Sequence, residues 1–453
     1  MRMERQELDL LTEKRRWARL QVTALLFSLL FFLICFGIGM RQAGAAEEAV
    51  LQTGRPDLIL LSWRKDPLTT QTVSWQGTAG PGRERIQYLP AADFAGSFAG
   101  ARELPAEENE LLDGSRRWEV TLEGLNPDTP YVYRVGRQGA WSEPAFFTTA
   151  GEGLEFSFLY MGDVQEGYES WGKMLERALA EKPELKFILS GGDLVDEGNS
   201  MEEWLRFFAA GSSVFRRLPL MPTVGNHDDS QLFRQFFALP GNGPEGHGET
   251  IYSFDYGNCH FTVLNSNWMG RPDSGDYDRI SRWLREDLRQ SRQLWKIVVF
   301  HHPPYPVAPD WRAEVLQEHW VPILEENGVD LVFVGHQHLY MRTKPLKDGR
   351  IQPEGEGIVY LMGNAGTKHY SFQSAADYVA VLLTRVQNYQ IVELRGNSLT
   401  VTSKDWQGNV VDNFRLVKEA GGGNLSTGRW MRLVVCLIQL LRGAVPLSPG
   451  GMN

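Results

Sequence analysis

Between residues 55 and 150 apolar positions come in short runs that alternate with polar ones and are cut by Pro, Gly and Asp. Leu58 to Trp63, Gln71 to Trp75, Arg117 to Leu122 and Tyr131 to Val135 each carry the two-residue period of a strand with one buried face. This pattern predicts an all-β module. From Leu154 the texture changes. Compact apolar runs (Phe156–Met161, Phe187–Ser190, Trp295–Phe300, Val329–Val334) alternate with helix-patterned stretches such as Trp171–Glu181, which predicts an α/β layered domain. Its last part, Tyr389 to Lys418, reads as three strands joined at Gly396-Asn397 and Gln407-Gly408-Asn409. The expected bounds are 55–150 for the all-β module, 154–418 for the layered domain, and 419–453 for a Gly421-Gly422-Gly423 linker with a short apolar tail.

The N-terminus has another pattern. Lys14, Arg15, Arg16 and Arg19 precede an uncharged apolar run from Val22 to Met40, followed by Ala43-Gly44-Ala45. A basic flank, an apolar run and small residues spaced A-x-A predict an export signal over residues 1–46. The run is nearly long enough to span a bilayer, so a retained membrane anchor stands beside cleavage. In both cases the rest of the chain lies outside the cytoplasm, secreted or membrane-anchored. Bulky Ile34 before Cys35, where a lipoprotein signal has a small residue, argues against such a signal.

Composition removes other classes. The 453-residue chain carries a net charge of −10 without a basic stretch beyond its start, so no nucleic acid is expected as partner. Its three cysteines, Cys35, Cys259 and Cys436, give neither a disulfide framework nor a zinc–thiolate cluster. Cys259, in a strand-like run, reads as a small buried apolar residue. The tryptophans read as core.

Chemistry concentrates where apolar runs end. Asp163 with Gln165, Asp193, Asn226 with His227, His301 with His302, and His336 with His338 each follow such a run or a glycine turn. Strand ends converge at the carboxyl edge of a sheet, where sites of α/β proteins form. Carboxylates, imidazoles and an amide oxygen without thiolate suit first-row divalent cations, and one carboxylate can bridge two of them. All nine histidines fall between His227 and His369, inside the layered segment. Each dipeptide alone is ordinary turn chemistry; their order is informative.

That order, Gly162-Asp163-Val164-Gln165, Gly192-Asp193-Leu194-Val195-Asp196, Gly225-Asn226-His227-Asp228, His301-His302-Pro303-Pro304 and Gly335-His336-Gln337-His338, resembles the calcineurin-like metallophosphoesterases. Leu125 to Val135 and Trp141 to Thr149 resemble the late strands of fibronectin type III domains. The whole arrangement resembles the purple acid phosphatases. The resemblance implies a β-sandwich flanked by helices behind a fibronectin-like sandwich. It also implies two divalent ions (Fe, Mn or Zn), a metal-bound hydroxide as nucleophile, and hydrolysis of a phosphate monoester on a small molecule or phosphorylated substrate.

The resemblance makes Asp193 the bridging ligand, with Asp163 and His338 on one ion and Asn226, His301 and His336 on the other. Gln165 stands where many superfamily members have histidine, as a weaker donor to the first ion. Asp196 stands where purple acid phosphatases have their colour-giving tyrosine, so no purple band is expected. Asp196 instead resembles the partner of the Gly-Asn-His histidine in the Ser/Thr phosphatase branch, which makes His227 a proton donor to the leaving group. His302 is a candidate substrate contact or a structural residue, because successive strand side chains face opposite ways. His369, on a late glycine-rich loop, is a candidate phosphate contact. A phosphodiesterase, and an envelope binding protein with a vestigial phosphatase domain, are the alternative readings.

Overall fold

The computed structural model describes residues 56–77, 83–270, 275–353, 355–372 and 376–418, with backbone alone at 269–270 and 430–433. The expected export signal, the linker and residues 434–453 of the tail lie outside these. Among the described residues no helix is long and apolar enough to cross a membrane.

The alternating N-terminal runs form two antiparallel sheets. One joins Asp57–Ser62, Gln71–Gln76, Arg116–Leu122 and Glu107–Glu110; the other is built around Arg85–Pro90 and Pro130–Arg137. Trp75, Val73, Tyr88, Tyr131, Tyr133 and Phe147 fill the space between them. The outer face of the first sheet is also apolar, and it is not solvated. Leu58, Leu60 and Trp63 belong to the core of the following domain, where Trp63 packs its ring 5.5 Å from Phe187, 5.8 Å from Phe254 and 5.7 Å from Tyr256. Arg117 is buried against Phe208 and Phe236 and donates to Ser74 Oγ. Burial, opposed by Glu119, lowers its guanidinium to about 10. Removing Trp63 by mutation to Ala is therefore expected to destabilise the chain by about 3–5 kcal/mol, as for other large buried aromatics. Denaturant melts of variant and parent check this; a difference under about 1 kcal/mol would mean that the shared core contributes little.

The strands that place the site are, in chain order, β1 (Glu155–Met161), β2 (Ile188–Ser190), β3 (Leu220–Pro222), β4 (Cys259–Val263), β5 (Trp295–Val299), β6 (Leu331–Val334) and β7 (Val359–Met362). They fall into two sheets. In the first, β1, β2 and β3 run parallel. That sheet continues antiparallel from β1 through β8 (Asn388–Arg395), β9 (Ser398–Asp405) and β10 (Val410–Lys418), with Trp430–Leu433 pairing onto β10. In the second, β4 to β7 run parallel, and Tyr340–Thr343 and Val379–Leu383 close one edge. Cys259 on β4 is buried without a disulfide, as its apolar surroundings predict.

Parallel strands need crossovers, and helices supply them. The first crossover is α1 (Tyr168–Glu181) and the second is α2 (Met201–Phe215), which begins at Ser200, whose side chain accepts from the Glu203 amide. Trp171 and Phe207 stack 4.8 Å apart where these two helices meet. The fold is thus α/β layered, as the alternation of runs predicts, and a β-sandwich flanked by helices, as the resemblance implies. The carboxyl ends of β1–β3 and of β5–β7 point to one region, so two sheets, and not one, feed the site.

Candidate metal centre

Each parallel strand stops just before a polar group. β1 ends at Met161 ahead of Asp163, β2 at Ser190 ahead of Asp193, β3 at Pro222 ahead of Asn226, β5 at Val299 ahead of His301, and β6 at Val334 ahead of His336. The turns are tight because backbone must pass close to the carboxylates. A Cβ on Gly225 would lie 2.0 Å from Asp193 Oδ1, so only glycine fits there. Gln165, Asp193, His336 and His338 adopt positive φ (39°, 52°, 78° and 48°). Strained backbone concentrated on the polar cluster, held by the two sheets, marks a functional site.

The side chains converge. Asp163, Asp193 and His301 present ligand atoms within 4.8 Å of one another, and so do His301, His302 and His336. His301 Nε2 lies 3.1 Å from Asp193 Oδ2, 3.1 Å from Asn226 Oδ1 and 3.3 Å from His336 Nδ1, while its Nδ1 is 2.9 Å from the Gly191 carbonyl. The Gly191 carbonyl accepts, so it keeps the proton on Nδ1 and aims Nε2 into the cluster. His336 Nδ1 lies 3.0 Å from Asn226 Oδ1, and its Nε2 lies 3.2 Å from Asp310 Oδ2. A carboxylate behind a histidine is the arrangement that fixes ring orientation in metal sites. The His336 amide donates to both oxygens of Asp163 at 2.9 Å. His338 Nδ1 is buried with no hydrogen-bond partner among the described residues.

Burial raises Asp163 to about 7, with His301 opposing and Asp193 adding to the rise. Burial would raise Asp193 too, but the His301 charge beside it carries it down to about 2. His301 rises to about 9, since Asp193 and Asp163 outweigh the cost of burying its charge. Burial lowers His338 to about 3. Buried carboxylates, imidazole nitrogens facing one amide oxygen and an orphaned His338 nitrogen form a donor set that fits divalent cations.

The remaining expected residues divide. His227 is half-buried at the rim; its Nδ1 sits 2.7 Å from the Asp196 carbonyl and 3.4 Å from Asp196 Oδ1, and its amide donates to Asp193 Oδ1 at 2.9 Å. The nearer acceptor is thus the main chain of Asp196, not its carboxylate. Gln165 donates its amide NH2 to Asp193 Oδ2 at 2.9 Å, and its oxygen accepts from Lys368 Nζ at 3.1 Å, so that oxygen faces a lysine. His302 lies beyond the end of β5, where strand alternation no longer holds. Its ring stands 5.0 Å from His301 and 4.5 Å from His336, with Nδ1 2.8 Å from Ser266 Oγ and Nε2 buried without a partner among the described residues. His369 Nδ1 is 3.0 Å from Asn364 Nδ2.

Three other histidines of the segment lie away from the site: His247 pairs with Asp276, His319 packs on Tyr277, and His260 sits between Asp255 and Asp287. Burial works against charge on His260, but its bonds to those two carboxylates raise it to about 9. A folded value above the unfolded one stabilises fully below about pH 6.5 and is lost as pH rises through about 9. His260→Gln is expected to cost about 2 kcal/mol at pH 6, the half-exposed Asp255 being discounted for screening, and almost nothing at pH 10. Melts at the two values check it; a cost independent of pH would show that His260 only packs.

Sequence reasoning passed over Asp310, Lys368 and Asp228. Asp310 caps the helix α3 (Trp311–His319), and a cap followed by Trp-Arg carries no metal signature. Asp228 accepts from the Leu194 and Gly225 amides, and burial, then Asp193, raises it to about 8. Lys368 was findable only as the cation of the Gly363–Gly366 loop, which is pinned by Ala365 and Gly366 amides on the Asp163 carbonyl.

Both segments of the chain match known families. The calcineurin-like phosphoesterase family matches residues 156–340, and the purple acid phosphatase N-terminal domain family matches residues 56–149. The chain is 29% identical to purple acid phosphatase 18 of Arabidopsis thaliana over 75% of its length and 81% of the relative's. It is 26% identical to mouse acid phosphatase type 7, covering 86% of the chain and 96% of that protein. In fold it resembles purple acid phosphatase PPD1 from yellow lupin seeds, with a TM-score of 0.67 at 16% identity, covering 80% of this chain and 74% of the other.

Proposed function

We propose that this chain, which belongs to the calcineurin-like phosphoesterases with a purple acid phosphatase N-terminal domain and is therefore a phosphoester hydrolase, acts on phosphate monoesters at a dinuclear centre. The observation that carries this reading is the convergence of Asp163, Asp193 and His301 with Asn226 and His336 at the carboxyl ends of both sheets. Asp193 Oδ2 touches a residue of each half, with His301 Nε2 at 3.1 Å and the Gln165 amide NH2 at 2.9 Å, which supports Asp193 as the bridging ligand. Asp163 and His338 would hold one ion, and Gln165 would join them as its weakest donor with its oxygen turned from Lys368; Asn226, His301 and His336 would hold the other. Two such ions, Fe, Mn or Zn, would supply Lewis acidity toward the phosphoryl oxygens and toward water.

The chain's own residues supply orientation and protons. The Asp196 carbonyl keeps the proton of His227 on Nδ1, which leaves Nε2 to exchange a proton with substrate. In the imidazolium form Asp196 Oδ1, 3.4 Å away, offsets the ring's charge, and Nε2 donates to the departing alkoxide. Asp310 holds His336 from behind. Export rests on the basic flank and apolar run before Ala46.

The test is a panel of p-nitrophenyl phosphate and bis(p-nitrophenyl) phosphate with Mn, Fe or Zn at saturation, together with metal analysis. Preference for the monoester is expected; preference for the diester would make the enzyme a phosphodiesterase. The loaded protein is also expected to lack an intense visible band. Asp196 has no phenolate, and the Tyr168 hydroxyl is turned to Glu203 Oε2 at 3.2 Å. A strong purple absorption lost on Tyr168→Phe would contradict this.

A further inference from the structure

A cavity of about 770 Å³ opens beside the cluster, with Asp310 and His336 among the residues lining it. Its other walls carry Trp311, Arg312, Tyr370 and Phe372. Its size suits a small organic group. Trp311 is 56% exposed and Tyr370 41%, although both are large rings that could have been buried. Trp311 is the first residue of α3, while Ala313 and Leu316 are the residues that seat this helix in the core. Tyr370 is tied to the site, its ring 4.7 Å from His338 and its amide donating to the His338 carbonyl at 3.3 Å. Arg312 lays its guanidinium over Trp311 at 4.7 Å and has Nη1 3.5 Å from Asp310 Oδ1. It is the one permanent cation among the lining residues.

We propose that this cavity is the leaving-group subsite, and that it takes a planar aromatic ring carrying a second anionic group. The inference rests on the phosphomonoesterase reading and names its substrate class: aryl phosphomonoesters with an acid substituent. The location requires a leaving group, because His336 belongs both to the cluster and to the cavity wall. A group attached to a phosphoryl at the cluster has this space beside it. The rings supply flat apolar faces for stacking, and Arg312 supplies a planar cation suited to a carboxylate or a further phosphate. In the reaction water adds its oxygen to phosphorus, the bond from phosphorus to the aryl oxygen breaks, and the phenol leaves with the proton, beside inorganic phosphate.

The experiment compares glycerol 2-phosphate, phenyl phosphate and 4-carboxyphenyl phosphate on the metal-loaded full chain, with KM from steady state and Kd from calorimetry at low temperature. The phenyl ester is expected to bind about tenfold tighter than the glycerol ester, as ring stacking gives. The carboxyl group should add about fivefold more, the scale of a partly exposed ion pair. Trp311→Ala should erase the first difference and leave the second; Arg312→Gln should erase the second and leave the first. Trp311 is exposed and Arg312 partly so, and unchanged turnover of glycerol 2-phosphate certifies the fold of each variant. Equal affinities for the three esters, or preferences that survive both substitutions, overturn the subsite and leave the phosphatase reading standing. If no ester is hydrolysed that reading falls, and Trp311- and Arg312-dependent Kd values still decide the subsite.

Discussion

Asp193→Asn is expected to lower kcat/KM for phosphomonoesters by at least about a thousandfold and to reduce bound metal at both positions. Losing one preorganised contact to the reacting centre already has an effect of about this size. The argument is electrostatic. Asp193 is a buried carboxylate that stays ionised, with His301 Nε2 at 3.1 Å and the amide of His227 at 2.9 Å. The amide of asparagine keeps the shape and removes the charge that two cations would share. It also leaves the raised His301 without the partner that holds its proton. The checks are elemental analysis and steady-state rates on variant and parent prepared alike, with a melt to show that the variant folds. Full metal content with activity retained would remove Asp193 from the bridging role.

His227→Gln is expected to lower kcat on alkyl phosphates by about 10²–10³-fold, the scale of general acid catalysis, while sparing p-nitrophenyl phosphate. The leaving oxygen of an alkyl ester needs a proton as it departs; nitrophenolate does not. Glutamine preserves a polar side chain at the rim, where His227 is only half-buried, so folding should not change. Metal content should also remain, which separates this position from the ligands. Equal loss on both esters would make His227 a phosphate-binding residue. The acceptor for its Nδ1 is the Asp196 carbonyl at 2.7 Å, so Asp196→Ala should cost less than His227→Gln.

Much of the architecture was legible because the hydrophobic pattern is regular. The runs Phe156–Met161 and Trp295–Phe300 are apolar at nearly every position, as strands covered on both faces must be, and they became β1 and β5. The change of period near residue 150 separates the two modules. What the pattern could not show is the partner of an outward face. Leu58, Leu60 and Trp63 were readable as one strand, but not as part of the next domain's core, since that depends on which surface packs there. An isolated 55–150 fragment exposes this face, which makes it a poorer independent folder than its strands alone suggest.

The candidate chemistry was already written along the chain: which carboxylates, imidazoles and amide stand at strand ends, and in what order. Order sufficed because strand ends of parallel sheets point one way, so residues far apart in the chain must meet there. Tertiary structure alone decided the neighbours that come from other directions. His247, His260 and His319 share the segment and not the site. Asp310 reaches His336 because a helix begins there, and Lys368 reaches Gln165 because its loop is pinned to Asp163. His301 and His302 both approach His336 because β5 ends before them, and Trp311 stands open beside the cluster where composition placed it in the core. Periodicity reports which side of its own element a residue takes; contact between elements depends on distances in space that no local pattern encodes.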